Sequence, residues 1–382
     1  MTEIYFDNAA TQPLKPEVLT VMMPYLTEHF GNPSAIYRSA QKARNAVALA
    51  REKVASLLNC RPDEIFFTSG GTEADNWALA TAFEAHQADK PHIITTAIEH
   101  HAVLETCHYL EKRGAEVTYV PVNSSGRVDP EVIREAIRPE TGLISVMSAN
   151  NETGILQPVA EIGAIAHENG ILFHTDAVQA AGHVPLDLQT LPVDLLSISA
   201  HKMGGPKGVG CLFIRRGVSF GGFIHGGAQE KDRRAGTENV AGIVGFGEAA
   251  ALAKRDLEEN ARYVTALRDR LVSRLSETVP DITFNGTGER LPGHVNVTCH
   301  GTDGESLLIF LDMQGLACSA GSACASGSLS PSHVLTAMGL SYEDAHATIR
   351  LTLSENNMEA EIDEAAAIIA KAVALQRTGA GF

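Results

Sequence analysis

Short apolar runs recur from residue 65 to residue 214, separated by stretches in which polar and apolar positions mix at helical spacing. The runs Ile65–Thr68, His92–Ala97, Glu116–Val120, Leu143–Ser148, Ile171–Thr175, Leu195–Ser199 and Val209–Ile214 have the length of strands. Near-continuous apolar strands alternating with helices predict a mainly parallel sheet covered on both faces. Ahead of them, Ala43, Val47, Ala50, Val54 and Leu57 recur every three or four residues and predict a helix over Arg38–Leu58, with Asn32-Pro33 as the turn before it.

The texture changes after about Gly245. A long charged helix is expected over Ala249–Val279. There follow a strand at His294–Thr298, a helix at Glu305–Asp312, a glycine- and serine-rich loop over Ser319–Ser330 and a helix at Pro331–Met338. A strand at Ala347–Leu353 and a helix at Glu359–Leu375 close the series. This is an α+β pattern, and it predicts two domains: a large α/β domain over residues 15–255, and a smaller one formed by 1–14 and 256–382.

The chain has 382 residues, 44% of them hydrophobic, enough for two cores. Its formal charge of −16 argues against non-specific contact with nucleic acid or an anionic membrane surface. No apolar run approaches the roughly 20 residues needed to span a bilayer. The first residues lack a basic start followed by an apolar stretch, so no signal peptide is expected, and a cytoplasmic protein with reduced thiols is. The six cysteines are scattered. Cys318 and Cys324 are too far apart for Cys-x-x-Cys and no histidine follows at ligand spacing, so no metal site is expected. Cys60, Cys107, Cys211, Cys299 and Cys318 read as buried core residues.

Five features carry chemistry. Lys202 ends the apolar strand Leu195–Ser199 and precedes a glycine-rich turn. A lysine there is costly unless paired, and when desolvated it becomes an imine-forming nucleophile. Ser69-Gly70-Gly71-Thr72 is a strand-to-helix turn. Such a turn is either ordinary or an anion cradle in which free backbone N–H groups and the Thr72 hydroxyl face a phosphate. Asp176 and Gln179 follow another strand; an aspartate there is a helix cap or the partner of a protonated ring nitrogen. Lysine, cradle and acid together fit pyridoxal phosphate, which requires all three. His100, after the strand His92–Ala97, is either a helix-start residue or an imidazole that stacks on the cofactor ring and moves protons. Cys324, in a loop of small polar residues, is a loop thiol with the exposure that reactivity needs.

Taken in order, these runs and four more resemble the cysteine desulfurases of the class-V aminotransferase family, the branch with a long catalytic-cysteine loop. The others are Tyr5–Thr11, Ser148–Gly154, Arg233–Asn239 and Ile349-Arg350, so the likeness covers essentially the whole chain. The resemblance implies the aspartate-aminotransferase-like fold type I of pyridoxal-phosphate enzymes and a homodimer. It implies Lys202 as the Schiff-base lysine, with Gly71, Thr72, Ser199 and His201 on the phosphate and Thr237 reaching it from the partner subunit. Asp176 would face the pyridine nitrogen, Gln179 the ring oxygen and His100 the ring face. Asn151, also beside the cofactor, and Arg350 would receive the substrate carboxylate. L-Cysteine would give L-alanine and a persulfide on Cys324, passed to an acceptor such as an iron–sulfur scaffold. Cys324 would be the one residue open to transient ligation of a cluster. The chain departs from the family's commoner pattern at Gly71 (often alanine), His101 (often lysine or proline) and Lys231-Asp232 (usually Arg-Gly). Rival readings are a selenocysteine lyase or another lyase or aminotransferase on the same fold, a non-catalytic assembly scaffold, and a nucleotide-binding protein built on the glycine turn.

Overall fold

The computed structural model describes residues 3–86, 89–321 and 331–379. It opens on β1 (Ile4–Tyr5), followed by the helices Pro16–Thr27 and Arg38–Leu57. The central sheet is built from β2 (Ile65–Thr68), β3 (His92–Thr96), β4 (Glu116–Val120), β5 (Thr141–Ser145), β6 (Leu172–Asp176), β7 (Leu195–Ser199) and β8 (Gly210–Ile214). Their order across the sheet is β2-β8-β7-β6-β5-β3-β4. Every pairing is parallel except those of β8, which runs against both β2 and β7.

Successive strand residues point to opposite faces, and both faces are apolar. Phe67, Ile94, Ile144, Leu196 and Phe213 enter one core, under the helices Pro16–Thr27 and Arg38–Leu57. Their neighbours Phe66, Ile93, Leu143, Leu195 and Leu212 enter the other, with Trp77 and Phe83 of the helix Gly71–His86 and Leu110 of His101–Glu111.

A third core gathers the C-terminal elements. β9 (Ile282–Phe284), β10 (His294–Cys299) and β12 (Thr348–Thr352) form an antiparallel sheet in the order β12-β10-β9, while β11 (Leu316–Ala317) pairs in parallel with β1. Val295, Val297, Ile349 and Leu351 pack there against Ile4, Phe6 and the C-terminal helix Glu359–Arg377. The helix Val240–Thr278, about 58 Å long at 1.5 Å per residue, serves two cores. Ile243, Phe246 and Ala250 enter the first, and Val264, Leu267 and Leu271 the C-terminal one.

That helix starts nine residues before the expected Ala249. The glycines that read as a break are where helices touch: a Cβ on Gly247 would meet the Ala50 Cα at 2.6 Å. Asp176 is the last residue of β6, one position further into the strand than expected. Among the cysteines, Cys107, Cys211 and Cys299 are buried, but Cys60 and Cys318 are half-buried, since each lies at the margin of its core rather than inside it. Among the described residues no helix is long and apolar enough to cross a membrane.

Candidate active site

The carboxyl ends of β2, β3, β5, β6 and β7 lie along one edge of the sheet, the edge at which open α/β folds bind ligands. Asp176 and Ser199 are the last residues of β6 and β7, and Gly71, Thr72, His100, Asn151, Gln179, His201 and Lys202 follow these ends. Ser69, Gly71, Thr72, Ser199 and His201 line one cleft. The turn is closely packed: a Cβ on Gly71 would stand 2.6 Å from Val178 Cγ2, so an alanine there requires Val178 to shift. The helix Gly71–His86 presents its N-terminal N–H groups there, and Glu73 is drawn aside, accepting from Ser69 N at 2.8 Å and pairing with Arg234 Nε at 2.8 Å. Thr237 is exposed on the segment ahead of the long helix and does not line the cleft.

Lys202 lies in a short turn of helix directly after β7. Its Nζ donates to the carbonyls of Ala9 (2.5 Å) and Ala10 (2.9 Å). Gln179 Nε2 donates to the same Ala9 oxygen at 2.9 Å, so the N-terminal segment locates the amine beside the ring-oxygen candidate. The Lys202 charge lowers His100 and His201 and works against the burial that raises Asp176.

Asp176 is buried, and burial pushes its carboxyl up to about 6 although Oδ1 accepts from Val178 N at 2.9 Å. His100 caps the helix His101–Glu111: its Nδ1 accepts from Ala102 N at 3.1 Å, so the neutral ring carries its proton on Nε2. Burial first, then the Lys202 charge, bring His100 down to about 4, and the same two causes bring His201 to about 4. Both rings are therefore neutral at physiological pH.

Arg350 is 1% exposed. Its Nη1 donates to Asn151 O at 3.0 Å, its Nη2 pairs with Asp7 Oδ1 at 2.6 Å, and its Nε is buried without a partner. The fork expected to face a substrate is thus fixed on two sides by protein and keeps an unused donor. Asp7 stood in a quoted motif but carried no expected role.

Two further carboxyls were not anticipated. Asp75, on the buried stripe of the helix Gly71–His86, lies 3.6 Å from His174 Nε2, and its Oδ1 has no hydrogen-bond partner. Glu99 accepts from Thr96 Oγ1 (2.6 Å) and Met147 N (3.0 Å) and leaves Oε2 unpartnered. Burial pushes Glu99 up to about 8 and Asp75 well above the usual carboxylate range, with the Asp176 charge adding to each. Burial brings His174 down to about 3, so it adds no cation to offset them. The sequence signal for Asp75 was a lone acid within an apolar helical stripe. Cys324 lies outside the described residues.

The class-V aminotransferase family matches residues 4–365. Cysteine desulfurase IscS of Methanosarcina thermophila is 52% identical over 371 residues, which cover 97% of this chain and 92% of that protein. The chain belongs to the cysteine desulfurases. Among solved structures, a NifS-like protein superposes with a TM-score of 0.92 at 40% identity, covering 98% of this chain and all of that one. A structure described as SspA in complex with cysteine superposes at 0.83 with 37% identity, over 94% of this chain and 100% of that one.

A cysteine desulfurase of this family uses pyridoxal phosphate, and pyridoxal phosphate is the cofactor of this chain. The residues present fit it: a glycine turn at a helix start, a lysine just past a strand end, a buried acid and a neutral imidazole lie along one edge of the sheet.

Proposed function

We propose that this chain removes sulfur from L-cysteine, releasing L-alanine and leaving a persulfide on Cys324 for delivery to an acceptor protein such as an iron–sulfur scaffold. The observation that carries the reading is geometric: Lys202, Asp176, His100 and His201 sit at the strand ends along one edge of the sheet, Lys202 Nζ and Gln179 Nε2 meet on Ala9 O, and Arg350 holds the carbonyl of Asn151.

When bound, the cofactor supplies an electrophilic carbon for the substrate amine and a ring that accepts the electron pair released at the α-carbon. Gly71, Thr72, Ser199 and His201 hold the phosphate end. Asp176 holds the ring-nitrogen proton, and Gln179 faces the ring oxygen. Asn151 and Arg350 receive the substrate carboxylate, the planar guanidinium suiting a two-point contact. Lys202 Nζ takes the α-proton and returns a proton to carbon. His100, with Nδ1 committed to the helix cap, has only Nε2 free for proton movement near the ring.

The Cys324 thiolate then attacks the substrate sulfur. A sulfur–sulfur bond forms, the substrate carbon–sulfur bond breaks, and its electron pair remains on carbon, which takes a proton as alanine leaves. The persulfide so formed is a reversible cysteine state.

A homodimer is part of the reading, with Thr237 completing the partner's phosphate site. Leu26 (60% exposed), Phe30 (85%) and Ile36 (90%) support it as an apolar surface near the N-terminus that a second copy would cover. A cytoplasmic setting suits the described cysteines, all of which are free thiols.

Two variants test the assignment. Lys202→Ala should lose the visible absorption of the bound cofactor and all activity together. Cys324→Ala should keep the absorption and release no sulfide. Sulfide release at the wild-type rate from Cys324→Ala would refute the persulfide role.

A further inference from the structure

The phosphate of pyridoxal phosphate carries roughly two negative charges at neutral pH. A cradle for it needs hydrogen-bond donors and positive charge. The cleft at the Ser69–Thr72 turn supplies the donors: the N–H groups of the helix start, the Thr72 and Ser199 hydroxyls and the His201 ring. Charge is scarcer. His201 is neutral, because burial and then the charges of Lys202 and Lys207 lower it to about 4. Lys202 Nζ is reserved for the reacting carbon of the cofactor. Glu73 adds a negative charge, and Arg234 offsets it with a two-point pair of 2.8 and 3.1 Å. Among the described residues that line the cleft, Lys207 is the one cation.

Lys207 stands in the loop that joins β7 to β8, and both feet of that loop are fixed on Ala200. Gly205 N donates to Ala200 O at 3.0 Å, and Ala200 N donates to Val209 O at 3.1 Å. β8 runs against β2, with Gly210 opposite Thr68. The approach is close: a Cβ on Gly210 would lie 2.8 Å from Gly70 C and 2.9 Å from Gly70 Cα, contacts with backbone that no side-chain rotation relieves. Gly208, with φ of 77°, turns the chain just before this contact. The cleft is accordingly lined by Lys207 and Gly208 as well as by Ser69 to Glu73. Lys207 is exposed, and among the described residues no carboxylate pairs with it.

We propose that Lys207 is a further cofactor-binding residue: its ammonium pairs with the phosphate of pyridoxal phosphate and supplies the positive charge that Gly71, Thr72, Ser199 and His201 do not. The proposal rests on the placing of the phosphate at those four residues. The flexible four-carbon stem of lysine lets the ammonium reach inward from the loop. Because Lys207 is open to solvent, salt screens the pair. It therefore lies at the weak end of charge-assisted contacts, worth about tenfold in affinity.

The test uses the full chain with its cofactor removed and the variants Lys207→Met, Lys207→Arg and Ser199→Ala. Dissociation constants are read from the visible absorption that forms with pyridoxal phosphate and with pyridoxal, which lacks the phosphate, at low and at high salt. Lys207→Met keeps an apolar stem and removes the charge. It should bind pyridoxal phosphate about tenfold more weakly at low salt, bind pyridoxal as wild type does, and show a flatter salt dependence. Lys207→Arg, which keeps the charge, should restore most of the affinity. Binding of pyridoxal phosphate within about twofold of wild type in Lys207→Met would overturn the proposal. So would equal weakening of both ligands, since that is damage to the site as a whole and not the loss of a phosphate contact. Failure of the underlying placing is seen separately: Ser199→Ala would then bind both ligands as wild type does.

Discussion

Arg350 Nη2 stands 2.6 Å from Asp7 Oδ1, and this ion pair joins the N-terminal segment to β12. The same guanidinium donates to Asn151 O, so one cation fixes three separate stretches of chain. A lysine cannot span both contacts from one point charge. Arg350→Lys should keep the cofactor absorption and raise KM for L-cysteine about tenfold. An unchanged KM would remove Arg350 from the substrate site. Asp7→Asn keeps an acceptor but leaves the buried cation uncompensated, and should lower unfolding stability by about 1–3 kcal/mol in urea titrations.

Asp75, Glu99 and Asp176, the buried carboxyls that burial raises, predict a pH trend in the cofactor-free protein. Asp176 is raised to about 6 by burial, so the native state holds that proton more tightly than the unfolded chain does. Its contribution to stability is full below the unfolded value of about 4 and is lost as pH rises through about 6. Glu99, at about 8, extends the loss upward. Asp176→Asn stays uncharged and can still accept from Val178 N. Its thermal midpoint, relative to wild type, should therefore rise between pH of about 4 and about 7. Parallel midpoint curves would show that Asp176 is not the titrating group.

Glu230, Lys231 and Asp232 have φ of 46°, 60° and 64°, three successive side-chain-bearing residues in the left-handed region. Arg51 holds the run in place by a two-point pair with Glu230, and Glu230 also accepts from Phe67 N. Glycine at position 232 would carry no Cβ penalty there. Asp232→Gly should raise unfolding stability by about 0.5–1 kcal/mol. Destabilisation of that size would mean that the Asp232 side chain makes a contact stronger than the strain it bears.

The sheet was legible because its strands, apart from the half-exposed edge strand β4, are buried on both faces and read as largely apolar runs. Lys202, Asp176 and His100 were legible because each is a polar residue at, or within a few residues of, the end of such a run. The short elements were not. β1, β9 and β11 are two or three residues long, too short for any period to show. The helix Pro16–Thr27 contains Pro24 and leaves Leu19, Met23 and Leu26 exposed, which blurs its stripe. Asp7, Asp75 and Glu99 escaped for another reason. Each is a single acid whose meaning lies in a partner or a neighbour brought to it by the fold: Arg350 for Asp7, and Asp176 for the other two. Spacing along the chain carries no trace of such relations.

The central claim is that sulfur passes from substrate to Cys324 at a site organised by Lys202. The most direct measurement is the mass of the Cys324 peptide after the holoenzyme is mixed with L-cysteine in the absence of reductant, with alanine quantified in the same sample. The account predicts one added sulfur atom on that peptide for each alanine formed in the first turnover. Alanine released while the Cys324 peptide keeps its original mass would contradict it.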